Sequence, residues 1–135
     1  MGIFCIGAMY GGTDDQTDTF TKNGVGYLGW TESEAPYAHQ MFRRITIGDI
    51  LCIKSYPPTQ GTIIKAVGIV TSILPSTDKR FGEVGVEVNW RWTGFLPLRK
   101  KDDKADFMRR GSIYEELNPE VQHLLVNLLL TPNKP

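Results

Sequence analysis

Apolar residues occupy both alternating sides of residues 2–10, with Ile3, Cys5 and Met9 on one side and Phe4, Ile6, Ala8 and Tyr10 on the other. A strand without a polar side is one covered on both faces, so this segment predicts a strand central in its sheet. The pattern then lapses over GGTDDQTDTFTKNGVG, residues 11–26. A polar, glycine-rich stretch of that length reads as a long loop, and such loops in small domains are commonly functional; it is a candidate lid. A helical period returns with Ala38, Met41, Phe42 and Ile45, which share one face at i, i+3, i+4 and i+7. Thr31 and Glu34 have capping-box spacing, but a helix starting there would carry Pro36 past its first turn. Ser33 is therefore the predicted N-cap.

Period-two alternation governs the middle of the chain. Gly48 and Asp49 form the turn into ILCIKSY, PPTQG connects it to TIIKAVGIVTSIL, and the two runs predict a hairpin. Gly68, inside the second run, marks a bulge or the close approach of another backbone. After the turn PSTDKRFG, residues 83–92 alternate strictly: Val84, Val86, Val88, Trp90 and Trp92 fall on one face, and Glu87, Asn89 and Arg91 on the other. RKKDDKAD, residues 99–106, reads as a solvated charged loop. In LNPEVQHLLVNLLL, Asn118 as N-cap, Pro119 at the first helical position and Glu120 in the first turn announce a helix, with Val121, Leu124, Leu125 and Leu128 as its packing face.

Length and composition add limits. A chain of 135 residues with 41% hydrophobic and 22% charged residues is an ordinary globular composition and predicts one domain, residues 1–135. Fifteen basic residues against fifteen acidic ones argue against a diffuse phosphate-gripping surface, so any nucleic-acid contact must be local. The two cysteines sit in apolar runs without disulfide or zinc spacing and read as buried free thiols. Residues 1–12 lack the basic start and long apolar core of a signal peptide, and no segment approaches membrane-spanning length. The expected location is cytoplasmic, with no membrane partner.

No glycine-rich phosphate loop, nucleophile elbow, metalloprotease helix or paired-cysteine zinc motif occurs. His39 and His123 lie in predicted helices without an acidic partner at ligand spacing, and GGTDDQTD lacks the terminal glutamate of a calcium loop. The residues thus call for no metal, cofactor or catalytic group.

What does stand out is an order of elements: a strand, a polar loop, Trp30 before a short helix, Gly48-Asp49, KSYP at 54–57, IKAVGIVTSI at 64–73, then a valine and tryptophan strand. Over residues 1–92 this order resembles the PUA-like superfamily, particularly its EVE, YTH and ASCH branches and the domains linked to modification-dependent restriction systems. The sequence departs from the EVE pattern in its long loop before Trp30 and in TESEAPYAHQ after it. The resemblance implies an α+β fold: a small, strongly curved, mostly antiparallel, barrel-like sheet with flanking helices, and a pocket for a nucleobase, often a modified one.

Such a pocket suits these residues, since aromatic faces replace the stacking a displaced base loses and polar groups read its edge. Trp30, in a glycine-flanked segment outside any alternating strand, is the leading wall, with Tyr10 and Tyr27 beside the loop. Lys54, Ser55 and Tyr56 follow an apolar strand at the expected pocket mouth. There Lys54 either meets a phosphate or forms a solvated strand end. Trp90 is assigned to the core, Trp92 to the end of that face where core becomes pocket floor, and Arg91 and Arg109 to backbone contacts. The expected function is recognition without chemistry of a base in DNA or RNA. One alternative is a binder of a free nucleotide; another is an ASCH-like amidohydrolase using Lys54 on an acylated nucleoside.

Overall fold

The computed structural model describes residues 1–11, 13–55, 61–98, 112–131 and 133. In chain order these form β1 (Ile3–Gly7), β2 (Met9–Tyr10), β3 (Asp14–Asp15), α1 (Thr17–Asn23), β4 (Val25–Leu28), α2 (Pro36–Phe42), β5 (Ile50–Ser55), β6 (Ile63–Ile73), β7 (Val84–Pro97), β8 (Ile113–Glu115) and α3 (Pro119–Leu130). Six strands make one curled sheet in the order β4-β7-β6-β5-β1-β8, while β2 and β3 pair separately. Among the described strands, only β1 and β5 run parallel. The α+β class and the mostly antiparallel, half-barrel sheet expected from the order of motifs are therefore found.

Two apolar clusters explain why β1 and β5 have no polar side. On one face Phe4, Ile6, Leu51, Ile53, Val86 and Val88 pack with Phe20 of α1 and Phe42 of α2. On the other, Ile3, Cys5, Ile50, Cys52, Ile64 and Val67 pack with Tyr114 and with Val121 and Leu125 of α3. The predicted first strand stops at Gly7 and sits one place from the sheet edge, between β5 and β8. Cys5 and Cys52 stand opposite each other in register as buried free thiols; burial and the neighbouring Cys5 thiol push Cys52 well above its ordinary pKa. No described helix is long and apolar enough to cross a membrane.

Helix α3 starts as its sequence announces. The Asn118 side chain accepts from the Glu120 and Val121 amides, with Pro119 in the first turn. Asn118→Ala is expected to cost about 1 kcal/mol, the usual worth of such a cap, read as a lower urea midpoint with an unchanged slope. Helix α2 starts differently from the expectation. Thr31 and Glu34 bond each other reciprocally, but they close a separate turn, and the helix begins at Pro36 behind Ala35 with no side-chain cap. Ser33 is not the N-cap. Proline needs no amide partner at a first helical position, so the capping-box pair is free to brace the approach.

The segment expected as a lid is structured. Within it, Asp14–Asp15 pairs with Met9–Tyr10 and α1 buries Phe20 completely. Asp15 accepts from the amide and hydroxyl of Thr17 and from the Lys65 ammonium, which ties the β2–β3 hairpin to β6. Partial desolvation raises the Asp15 carboxyl, but the bonds from Lys65 and Thr17 outweigh it and hold the group below its ordinary value. A carboxyl depressed in the folded state contributes stability above its unfolded pKa of about 4, and the contribution is lost as pH falls through the folded value. The gap in urea midpoint between wild type and Asp15→Asn should accordingly be widest near neutral pH and close on acidification below about pH 4. A gap that persists to strong acid would contradict the assignment.

The largest departure concerns the tryptophans. Val67 pairs with Trp92 and Gly68 with Trp90, so Arg91 is an extra residue on β7. A bulge of one residue reverses which face the following side chains occupy. Trp90 consequently packs on the α1–α2 face and Trp92 on the α3 face. Gly68 permits the bulge: a Cβ there would lie 2.6 Å from the Asn89 carbonyl oxygen and 2.9 Å from the Trp90 Cα. Trp90, expected in the core, packs half-buried against it, and its indole N–H donates to the carbonyls of Phe20 and Val25 at 3.2 and 3.1 Å.

Candidate functional site

The chain leaves β4 at Leu28 and enters α2 at Pro36 through a bend at Trp30 and a turn at residues 32–34. Four interactions brace this turn without covering the indole. The His39 Nε2 donates to the Trp30 carbonyl at 2.7 Å. The Glu32 amide donates to the Glu83 carboxylate at 2.7 Å, and Arg43 pairs with Glu32 at 2.6 Å. Thr31 donates through both amide and hydroxyl to Glu34 at 2.9 and 2.8 Å. Trp30 itself remains 50% exposed. An apolar ring of that size, half in water on a turn held by hydrogen bonds, is the kind of surface that stacks on something flat.

Beneath the turn lies an aromatic floor. Gly29 has no side chain because the Tyr10 ring lies where one would go: a Cβ would approach Tyr10 Cε1 to 2.7 Å. Tyr10 meets Phe20 edge-on at 6.1 Å between centroids, Phe20 lies 6.2 Å from Phe81, and Phe81 lies 5.4 Å from Tyr27. The Tyr10 hydroxyl donates to the Phe81 carbonyl at 2.7 Å; burial and then Tyr27 push it up to about 12, which keeps it a donor. The Tyr27 hydroxyl donates to Asp78 at 2.9 Å. Burial, then that carboxylate, raise its pKa as well. Tyr27 has no exposed surface. Of the three aromatics expected together, Trp30 is therefore open, Tyr10 lies against the turn and Tyr27 is floor.

The turn is acidic. Its hydrogen bond from Arg43 holds Glu32 below the usual carboxylate range, and the bonds from Thr31 do the same for Glu34. With Glu83 beside them and Arg43 as counter-ion, the surroundings of Trp30 suit the donor edge of a base better than a phosphate.

The other expected residues lie elsewhere. Lys54 is neither a solvated strand end nor open to a phosphate: it is 7% exposed, with its ammonium 5.4 Å from the centre of the Tyr114 ring, on the α3 side. Strand β8 causes this, by adding Tyr114 beside β1. Ser55 ends β5, half-buried and paired with Ile63. Trp92 packs half-buried on the α3 face, away from Trp30. Arg91 is exposed, and its carbonyl accepts from the Asn133 amide at 3.3 Å. Tyr56 and Arg109 lie outside the described residues.

Sequence reasoning missed His39, Glu83, Phe20 and Phe81. Only Phe20 left a signal, as the single aromatic in a polar run. His39 bonds a backbone carbonyl, and Glu83 reaches an amide 51 residues away; neither partnership has a sequence spacing.

No protein-family model matches the sequence, and no curated protein matches it. Solved structures match its shape. A YTH domain of Mmi1 superposes with a TM-score of 0.59 at 14% identity, over 97% of this chain and 98% of that one. An Mmi1 YTH domain in complex with RNA gives a TM-score of 0.60 at 13% identity, over 96% of this chain and 82% of the other. A further complex of YTH domain-containing protein Mmi1 with RNA gives 0.57 at 12% identity, over 96% and 85%. YTH domains belong to the PUA-like superfamily, so the fold implied by the order of motifs is the fold found.

Proposed function

From this PUA-like, YTH-type fold we propose a non-catalytic nucleic-acid-binding module that stacks one base, a modified one, on the Trp30 indole. The observation that carries the proposal is the half-exposed ring on a turn braced by His39, Glu83, Arg43 and the Thr31–Glu34 pair. Support also comes from similar domains solved with RNA. Stacking on an aromatic side chain is worth about 1–3 kcal/mol per base and tolerates any base. Discrimination is assigned to polar groups of the surrounding turn, since carboxylates can accept from exocyclic amines.

Phosphates are kept from the acidic turn itself. Exposed Lys79 and Arg80 lie in the β6–β7 turn, next to Phe81 and Glu83, with Arg80 already paired to Asp78 at 3.2 Å, and a phosphate would have to compete with that carboxylate for Arg80. With both cations on phosphates of a single strand, log affinity should fall with log salt at a slope of roughly −1.4. The amidohydrolase alternative has less support: Lys54 lies buried beside Tyr114 on the α3 side, and Trp30 is bonded to α2 on the opposite one. Balanced charge and the acidic turn favour one second reading, a free nucleoside or nucleotide.

A panel of RNA and DNA strands carrying modified bases, beside free nucleotides and at several salt concentrations, tests both. One modified strand bound above its unmodified counterpart, with that shallow slope, supports the module. Salt-independent binding of a free nucleotide supports the second reading. Absence of binding by every strand and nucleotide would remove both.

A further inference from the structure

We propose that His39 is the positioning residue of this site: its imidazole fixes the Trp30 backbone, and through it the plane of the indole. The proposal rests on the reading that Trp30 holds the base. His39 has no exposed surface, although nothing in its helical position demands a polar residue. Its Nε2 lies 2.7 Å from the Trp30 carbonyl. A carbonyl can only accept, so the donor of this bond is Nε2–H, and Nδ1 is the ring's other polar atom. That Nδ1 is buried and has no hydrogen-bond partner among the described residues. An unpaired buried polar atom is destabilising, and leucine or phenylalanine would fill the space without one. What the imidazole adds is the single N–H aimed at Trp30.

The acceptor is well placed for such a role. The Trp30 carbonyl lies in a turn where neither strand nor helix supplies a partner, nine residues before His39. The Glu83 carboxylate that takes the Glu32 amide lies 3.8 Å from the same Nε2. The backbone from the Trp30 carbonyl to the Glu32 amide is thus held from α2 and from Glu83, the residue before β7. Both holds act on main chain, so they orient the indole without occupying its face. Preorganisation of this kind removes an ordering cost from binding.

His39→Leu keeps the volume and removes the donor; His39→Gln keeps an N–H of similar reach. On the strand that wild type binds best, His39→Leu is expected to lose roughly tenfold in affinity, the worth of about one hydrogen bond, and His39→Gln to recover most of it. In a Trp30→Ala background His39→Leu should cause no further loss, because the two act as one unit. In the free protein labelled with fluorotryptophan, the Trp30 resonance should shift or broaden in His39→Leu while those of Trp90 and Trp92 hold still. Should His39→Leu not fold, His39→Met fills the same space without an N–H. Equal losses in both backgrounds, or all three resonances moving together, would overturn the positioning role. The fluorine spectrum needs no ligand, so a protein that binds no strand loses the Trp30 reading without obscuring the outcome for His39.

Discussion

Trp30→Ala is expected to weaken binding of a base-bearing strand by roughly 5- to 150-fold, the range spanned by loss of one aromatic stacking partner. The unfolding midpoint should barely move, because surface substitutions of this kind usually shift stability by no more than about 0.5 kcal/mol. The separation of the two effects is the point. Trp30 is 50% exposed, and its turn is held by its own carbonyl and its neighbours, not by the indole. Trp30→Phe should keep part of the affinity, since a smaller ring still stacks. Isothermal titration and urea denaturation on the same preparations decide it. Unaltered affinity in Trp30→Ala would show that the base sits elsewhere, and a large fall in the urea midpoint would show the indole to be a packing residue.

The fold was more legible in the sequence than the site was. β7 carries period-two alternation, β5 and β6 are apolar runs bounded by turn residues, and α3 carries a complete start signal in Asn118, Pro119 and Glu120; such patterns are local and survive into the structure. α1 escaped because TDTFTKN offers one apolar residue, too few to show a period, and four of its seven residues are threonine or asparagine, which are weak helix formers. The opposite faces of Trp90 and Trp92 were hidden for a different reason. Alternation along one strand says nothing of an extra residue forced by its neighbour, and the Arg91 bulge exists only in the pairing with β6. Lys54 looked like a strand end because the strand that buries it, β8, arrives from residues 113–115. Trp30 drew attention because it lies outside both periods, and in the structure its ring is half-exposed on the turn before α2.

That Trp30 stands on a floor rather than a lid leads to the largest stability effect. Phe20→Ala is expected to destabilise the protein by about 3–5 kcal/mol, the cost of emptying a buried aromatic site that cannot collapse. Phe20 has no exposed surface and sits among Tyr10, Tyr27 and Phe81 at centroid distances of 6.1, 6.3 and 6.2 Å. Its carbonyl also accepts from the Trp90 indole at 3.2 Å, so the anchor of α1 is shared with β7. Removing the ring leaves a cavity bounded by three rings fixed elsewhere: Tyr10 by the Phe81 carbonyl, Tyr27 by Asp78, and Phe81 between them. Against a total stability of about 5–15 kcal/mol, such a loss approaches unfolding at physiological temperature. Phe20→Leu, which refills most of the volume, should retain most of it. Denaturation followed by far-UV circular dichroism measures the loss, and amide exchange along residues 17–23 locates it. A cost below about 1 kcal/mol, with α1 exchanging freely in wild type, would mean that this helix lifts from the sheet and that the residue 11–26 segment is a lid after all. A cost in the expected range ties α1 to the core, and with it the Tyr10 ring on which Gly29 and the Trp30 turn rest.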